Sequence, residues 1–270
     1  MKQRYIELPD TWDELTEADW REVLKIRHTV ATTDHQWTPD DVRIETARAL
    51  LKCRGVMTQV NNQQYLLLLS QLQRSLTWLW QERDGGLALC YRSTRNLLPR
   101  VRDWQGPRSH GEDLTFGEFR QAIQHLKAWE AEQNPAALCA LAGLLYRPAD
   151  EHSRRVPYDY DSVEEKIARG QLMKPWQRWG IYAWFAYFCE YLTTGTFVIE
   201  GTEVTFAPLF TVTENENAKA GSSLGRICLT LAESHVFGTA RDVDNTQLLT
   251  VMQKLLMDYE TLRKMRKMRK

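Results

Sequence analysis

Apolar residues recur every three or four positions through most of the chain, which is the spacing of amphipathic helices. In the N-terminal part this spacing predicts one helix that opens with a capping box at Thr16 and Asp19. A second helix begins at the run 38–41, where a threonine N-cap precedes proline and two acids, and it ends at Gly55. Residues 61–75 continue as a helix rich in glutamine and leucine, with a wide apolar face.

The pattern changes over residues 76–91. This stretch could form a β-hairpin that turns at Asp84-Gly85, or its first half could simply end the preceding helix. Residues 92–113 then combine five arginines with Pro99, Pro107 and Gly106, which indicates a basic, loop-rich linker. We therefore expect an N-terminal helical region over 1–91 and a C-terminal helical core over 114–262, followed by a basic tail over 263–270.

Helix-start signals recur through the C-terminal core. They stand at Thr115 with Glu118, at Asn134-Pro135 and at Ser162 with Glu165. The polar stretch 147–161 separates the second and third of these as a long loop. Two further helices are predicted, over Leu224–Phe237 and from near Asn245 through Tyr259.

The densest apolar segment runs from Trp176 to Leu192, between the helix-starting Pro175 and the helix-ending Gly195. Because its rings point to every side of a helix, the segment must be covered on every side. This favours a core or interface helix over a stacking platform for bases or sugars. Its eight aromatic residues are Trp176, Trp179, Tyr182, Trp184, Phe185, Tyr187, Phe188 and Tyr191.

A β-hairpin is predicted directly after the aromatic helix, within residues 196–210. Apolar side chains alternate at Phe197, Ile199, Val204 and Phe206, and Glu200-Gly201 marks the turn. A lone hairpin is marginal by itself, so it either packs on the helices or adds strands from a partner. The predicted fold is mainly α, a helical bundle with a β-hairpin after a central aromatic helix.

Composition indicates an ordinary globular protein. The 270 residues are 43% hydrophobic and 26% charged, and the formal net charge is +0, so no global field draws the chain onto nucleic acid or membrane. The five cysteines are scattered without a CxxC pair, which is typical of a reduced, cytosolic protein. No stretch has the length and hydropathy of a secretory signal or a membrane span. We therefore expect a location in the cytoplasm.

Residue patterns typical of catalysis are missing from the sequence. The six histidines form no HxxxH, HExxH or HxH motif, so we predict no metal site and no cofactor. The stretch Gly221–Arg226 lacks the P-loop pattern and favours a flexible loop with a serine N-cap. The chain has no G-x-S-x-G motif either. We expect a protein that is not an enzyme.

Three segments resemble proteins from the tail gene clusters of tailed phages and prophages. They are YIELPDTWDELTEADWREVLKI at the start, LTFGEFRQAIQHLKAW with NPAALCALAGLLYRP in the middle, and LAESHVFGTARDVDNTQLLTVMQKLLMDYE near the end. The middle segment is similar to tail assembly chaperone-like proteins, and the resemblance spans about two-thirds of the chain. It implies a non-enzymatic helical protein, either chaperone-like or a minor structural component. Its partners would be tape-measure or tube subunits, or further copies of itself, in the host cytoplasm or in the virion.

Two sets of residues are candidates for contact. Large apolar side chains anchor protein interfaces, which points to Trp176, Trp179, Phe197 and Phe206 as partner-binding residues. The alternative is a nucleic-acid-binding protein that uses the arginines of 92–108 and a basic tail, because clustered cations can contact phosphates. The cations of that tail are Arg263, Lys264, Arg266, Lys267, Arg269 and Lys270.

Overall fold

The computed structural model describes residues 7–56, 62–83, 86–152, 154–158, 162–210 and 236–268. As the sequence predicts, the structure is mainly α with a few small antiparallel sheets. It divides into two compact units. One lies within Met1–Ser93 and Lys174–Ala183, and the other within Thr94–Met173 and Trp184–Lys270. The predicted helix Leu224–Phe237 falls almost wholly outside the described residues, and the predicted loop Gly221–Arg226 does so completely.

The first unit starts with helices that have the predicted boundaries. Its elements are α1 (Glu17–Thr32), α2 (Pro39–Cys53), α3 (Gln63–Leu72), a 3-10 turn (Gln73–Leu76), β1 (Trp80–Arg83) and β2 (Gly86–Leu89). Both predicted N-terminal caps are confirmed, since Thr16 and Thr38 each form a full capping box. β1 and β2 pair antiparallel, so the hairpin forms, but residues 76–79 belong to the 3-10 turn and the turns that end the preceding helix. The turn residues Asp84 and Gly85 lie outside the described part of the chain.

Aromatic rings and a buried ion pair fix the core of the first unit. The Trp12 ring lies edge-on to Trp20 at 5.5 Å and to Trp78 at 5.3 Å between centroids. The buried Asp19 carboxylate accepts a hydrogen bond of 2.9 Å from Nη1 of Arg54. Asp19 therefore caps α1 and also ties α1 to the end of α2.

The second unit contains the remaining elements. They are β3 (Arg100–Val101), β4 (Trp104–Gln105), α4 (Phe116–Glu132), α5 (Pro135–Leu145), β5 (Arg147–Pro148), α6 (Val163–Gln171), β6 (Thr196–Ile199), β7 (Thr202–Thr205), α8 (Ala207–Phe210), α9 (Ala240–Asn245) and α10 (Leu248–Met268). The caps predicted for α4, α5 and α6 are confirmed. The aromatic helix α7 (Pro175–Thr194) contributes its first nine residues to the first unit and the rest to the second.

Helices α5 and α6 approach so closely that glycine is required on both. A Cβ atom on Gly143 would lie 2.0 Å from the Lys166 carbonyl oxygen, and one on Gly170 would lie 2.0 Å from the Cys139 carbonyl oxygen. Neither backbone oxygen can move aside without displacing its helix. The close packing of α5 and α6 therefore requires the small residues of α5.

The segment predicted as a basic linker is built into the second unit from Thr94 onward. Leu97, Leu98 and Val101 are buried, and the hydroxyl of Tyr146 donates a hydrogen bond of 2.5 Å to the Leu98 carbonyl. β4 pairs with both β3 and β5, which makes a three-stranded sheet. The arginines of the segment are exposed or half-exposed while its leucines face inward.

The hairpin β6–β7 has the predicted register. Phe197 pairs with Val204 and Ile199 with Thr202, and the turn residues Glu200 and Gly201 have φ angles of 50° and 77°. Two positive φ values in a two-residue loop define a type I′ turn, whose twist matches that of the strands.

Candidate functional site

Of the predicted partner contacts, Trp176 and Trp179 lie in the first unit and are half-buried. Each ring has a cation from α1 over its face: Arg27 stands 4.1 Å from the Trp179 centroid and Lys25 stands 5.9 Å from that of Trp176. Burial lowers the pKa of the Arg27 guanidinium, and the nearby Tyr182 opposes this shift. Such cation–π contacts cover ring surface that a partner would otherwise bury. The partner-binding role of the two tryptophans stays a prediction.

Phe197 and Phe206 occupy different surroundings from those expected of surface contacts. Phe197 is 5% exposed and Phe206 is 0% exposed, and their ring centroids are 5.5 Å apart. The Phe197 ring also meets Phe188 and Tyr191 of α7 edge-on. The hairpin thus packs on the helices through its apolar face, and these two rings belong to the core of the second unit. Their expected role as exposed anchors does not fit these positions.

Among the described residues of the first unit, the exposed large apolar side chains lie on α3. Only Tyr65 and Leu69 are buried, so α3 is covered along one narrow stripe. Its three central leucines point to other sides of the helix and are exposed to solvent: Leu66 by 46%, Leu67 by 59% and Leu68 by 37%. An exposed apolar patch of this kind marks a binding surface more often than a scattered single residue does. We call Leu66, Leu67 and Leu68 the leucine patch.

A second exposed apolar group follows the C-terminal half of α10. The helix is anchored at its start, where Leu248 donates a backbone hydrogen bond of 2.8 Å to the Leu114 carbonyl. Beyond its anchored first turns, Met257, Met265 and Met268 fall within an arc of about 80° of the helix, because spacings of 8 and 11 residues exceed whole turns by about 80° and 20°. They are 65%, 52% and 79% exposed.

The basic tail continues the same helix. Arg263, Lys264, Arg266 and Lys267 are all exposed, whereas Arg269 and Lys270 lie outside the described residues. Most of these cations lie on sides of the helix other than the methionine side. The end of α10 therefore presents an apolar row beside a basic one.

A buried charge network lies at the start of α4, in the second unit. The Glu118 carboxylate is completely buried and serves as the N3 residue of the α4 capping box. Arg155 donates from Nη1 and Nη2 to Glu118 and from Nε to Asp113 at 3.1 Å. Arg147 donates from Nη2 to Glu118 at 3.4 Å. Two guanidiniums thus share one completely buried carboxylate.

The two arginines of this network have opposite pKa shifts. Burial alone would lower the pKa of Arg155, but the Glu118 and Asp113 carboxylates outweigh it and raise that pKa. Burial lowers the pKa of Arg147; the Glu118 charge opposes this, and the like charge of Arg155 reinforces it. Arg155 is therefore the well-paired member, and Arg147 is the one whose charge is less fully compensated.

Within the described ranges, no cluster of three histidine, cysteine or carboxylate side chains has an arrangement that could hold a metal ion. No helix in the same ranges is long and apolar enough to cross a membrane.

Comparison with known proteins gives no match: no family model, curated protein or solved structure matches this chain.

The leucine patch was not predicted as a surface from sequence. A signal was present, since four consecutive leucines at 66–69 cannot all face one buried stripe of a helix. Glu118 was likewise predicted only as a cap and 147–161 only as a polar loop. No local pattern pairs these distant residues.

Proposed function

We propose that the protein is a non-enzymatic tail assembly protein of a tailed phage or prophage, which acts by binding other tail proteins. It would be chaperone-like or a minor structural component. The assignment to tail assembly comes from the resemblance of the sequence segments. The observation that carries the binding role is the leucine patch, which supplies apolar surface without a cover in the described part of the chain.

The leucine patch offers a useful amount of binding energy. Burying a leucine side chain fully contributes about 1.5–3 kcal/mol, so covering three half-exposed leucines would contribute roughly 2–4 kcal/mol. Micromolar affinity corresponds to about 8 kcal/mol, so the leucine patch would supply up to half of that free energy and further contacts would have to supply the rest. The methionine side of α10 could contribute in the same way, since methionine side chains adapt to irregular surfaces.

The Leu67→Asp substitution tests this role. We expect it to weaken binding to a tape-measure or tube protein of the same phage or prophage by about tenfold or more, because it removes apolar area and adds a charge that binding would desolvate. The measurement is co-purification and titration with those two proteins, with far-UV circular dichroism to verify the fold.

Ser75→Asp is the matched control, because it places the same charge on an exposed position of the 3-10 turn that follows the same helix, outside the leucine patch. Retained binding in this variant, with loss in Leu67→Asp, supports the leucine patch as the contact. If neither tail protein binds the intact chain, the tail assembly proposal fails. If both variants bind as the intact chain does, the contact lies elsewhere.

A second candidate function is nucleic-acid binding through the basic end of α10. The exposure of Arg263, Lys264, Arg266 and Lys267 on a continuous helix supports it. On this hypothesis, deleting residues 263–270 abolishes DNA binding, and binding to the intact chain falls steeply between two salt concentrations. An intact chain without salt-sensitive DNA binding would exclude the hypothesis.

A further inference from the structure

A cleft of about 470 Å³ lies within the second unit, beside the buried Glu118 network. Its polar lining includes four arginines and two aspartates: Arg108, Arg147, Arg154, Arg155, Asp113 and Asp150. We call it the arginine cleft. We propose that the arginine cleft binds a phosphate group. Its volume falls within the range typical of small-molecule sites.

The charges of the cleft favour an anion. Its four guanidiniums are balanced by three carboxylates, those of Asp113, Asp150 and the adjacent Glu118, so one positive charge remains. The carboxylates are already engaged: Glu118 and Asp113 accept from Arg155, and Asp150 accepts from Arg154 at 3.1 Å. Each acid therefore already accepts hydrogen bonds from an arginine, and further guanidinium N–H groups are left to bind an anion.

Arg147 is the clearest source of that spare capacity. It is 5% exposed, and its one hydrogen bond to a carboxylate, that to Glu118, is long at 3.4 Å. Its Nε and Nη1 atoms are buried and have no hydrogen-bond partner among the described residues. Its guanidinium carbon stands 5.7 Å from the centroid of the Tyr158 ring, which also lines the cleft. Unmatched donors on a buried guanidinium are costly, so a negative charge held in the cleft beside Arg147 would stabilise this side chain.

Two arginines at the rim can complete the site. The Arg108 backbone amide donates to Oδ1 of Asp113 at 2.7 Å, which fixes the backbone from which the Arg108 side chain extends. The Arg108 side chain itself is exposed. The Arg154 side chain is 62% exposed and forms an ion pair with Asp150. Both side chains are long enough to reorient toward a ligand beside Arg147.

Phosphate suits this arrangement better than a carboxylate does. A carboxylate is satisfied by one guanidinium fork, whereas a phosphate presents several oxygens to donors that come from different directions. Arg108, Arg147 and Arg154 belong to three different stretches of chain. The phosphate could be free inorganic phosphate or the monoester group of a small metabolite, and the chemistry of recognition is shared.

The test is isothermal titration calorimetry on the intact chain at fixed ionic strength. Inorganic phosphate, adenosine monophosphate and acetate are titrated separately. We expect one phosphate per chain, and Arg108→Ala should raise the Kd by about tenfold, because a hydrogen bond to a charged group is lost. Tighter binding of the nucleotide than of inorganic phosphate would identify a monoester as the source, and the reverse would identify free phosphate.

Arg92→Ala is the matched control, since Arg92 is exposed and lies outside the cleft. Unchanged phosphate binding in this variant, with weaker binding in Arg108→Ala, supports the proposal. Either of two results overturns it: no binding to the folded intact chain at millimolar phosphate, or equal affinity in both variants. Acetate binding as tight as phosphate binding would overturn the choice of ligand class. None of these results bears on the leucine patch, which is a different surface.

Discussion

Replacing Glu118 by glutamine is expected to lower the free energy of unfolding of the second unit by about 3–5 kcal/mol. The substitution keeps the size of the side chain and an oxygen at the N3 position, so the α4 cap is largely preserved. It removes the carboxylate that Arg147 and Arg155 share in a completely buried position. Two buried guanidiniums would then face each other with only Asp113 to compensate. Urea denaturation followed by circular dichroism measures the change.

Glu132→Gln is the control for this prediction, because it makes the same substitution at an exposed position of the same helix. A change within about 0.5 kcal/mol is expected there. Amide hydrogen exchange of α4 and α5, compared with that of α1 and α2 in the first unit, shows whether the loss is confined to the second unit. If Glu118→Gln costs no more than Glu132→Gln, the network adds no net stability and its arginines are compensated in another way.

Replacing Phe206 by alanine is expected to cost about 3–5 kcal/mol of stability. Phe206 is 0% exposed and packs its ring on Phe197, which in turn contacts two aromatic residues of α7. Removing the ring leaves a cavity where the hairpin meets the helices. The expected signs are a lower urea midpoint and lost protection of the β6–β7 amides, again measured by denaturation and hydrogen exchange.

Val198→Ala provides the contrast within the same hairpin, since Val198 is 72% exposed and points away from Phe206. It should change stability by no more than about 0.5 kcal/mol. The hypothesis drawn from sequence alone gives the opposite expectation for Phe206→Ala, namely weaker partner binding with helical content intact. A folded, fully stable Phe206→Ala protein would favour that hypothesis over the core position.

Local chemistry made much of the secondary structure predictable from sequence. Thr16, Thr38, Thr115 and Ser162 each stand three residues before an acid, and each opens a helix with both capping hydrogen bonds in place. The Glu200-Gly201 turn could be predicted from the sequence in the same way. These signals depend only on residues within one turn of each other, so no knowledge of the rest of the chain is needed.

The candidate sites were less predictable, because exposure depends on what packs against a residue. Phe206 and Leu67 are both large and apolar, and sequence gives no reason to bury the first and expose the second. Phe206 is buried against Phe197, which itself packs on α7, while α3 has only one covered stripe and leaves Leu67 in solvent. The basic stretch after residue 92 shows the same dependence on packing. Its arginines indicated a linker, but its leucines are buried in the second unit.

The sequence by itself determined where most helices begin, the register of the hairpin after the aromatic helix, and the mainly α class. Those outcomes follow from hydrogen bonds and periodicities that act over a few residues. Only the tertiary structure decided that Glu118 meets Arg147 and Arg155, that Gly143 lies against Lys166, and that the arginine cleft forms at all. Those pairs are more than 20 residues apart, and they meet because burial of the intervening helices brings them together.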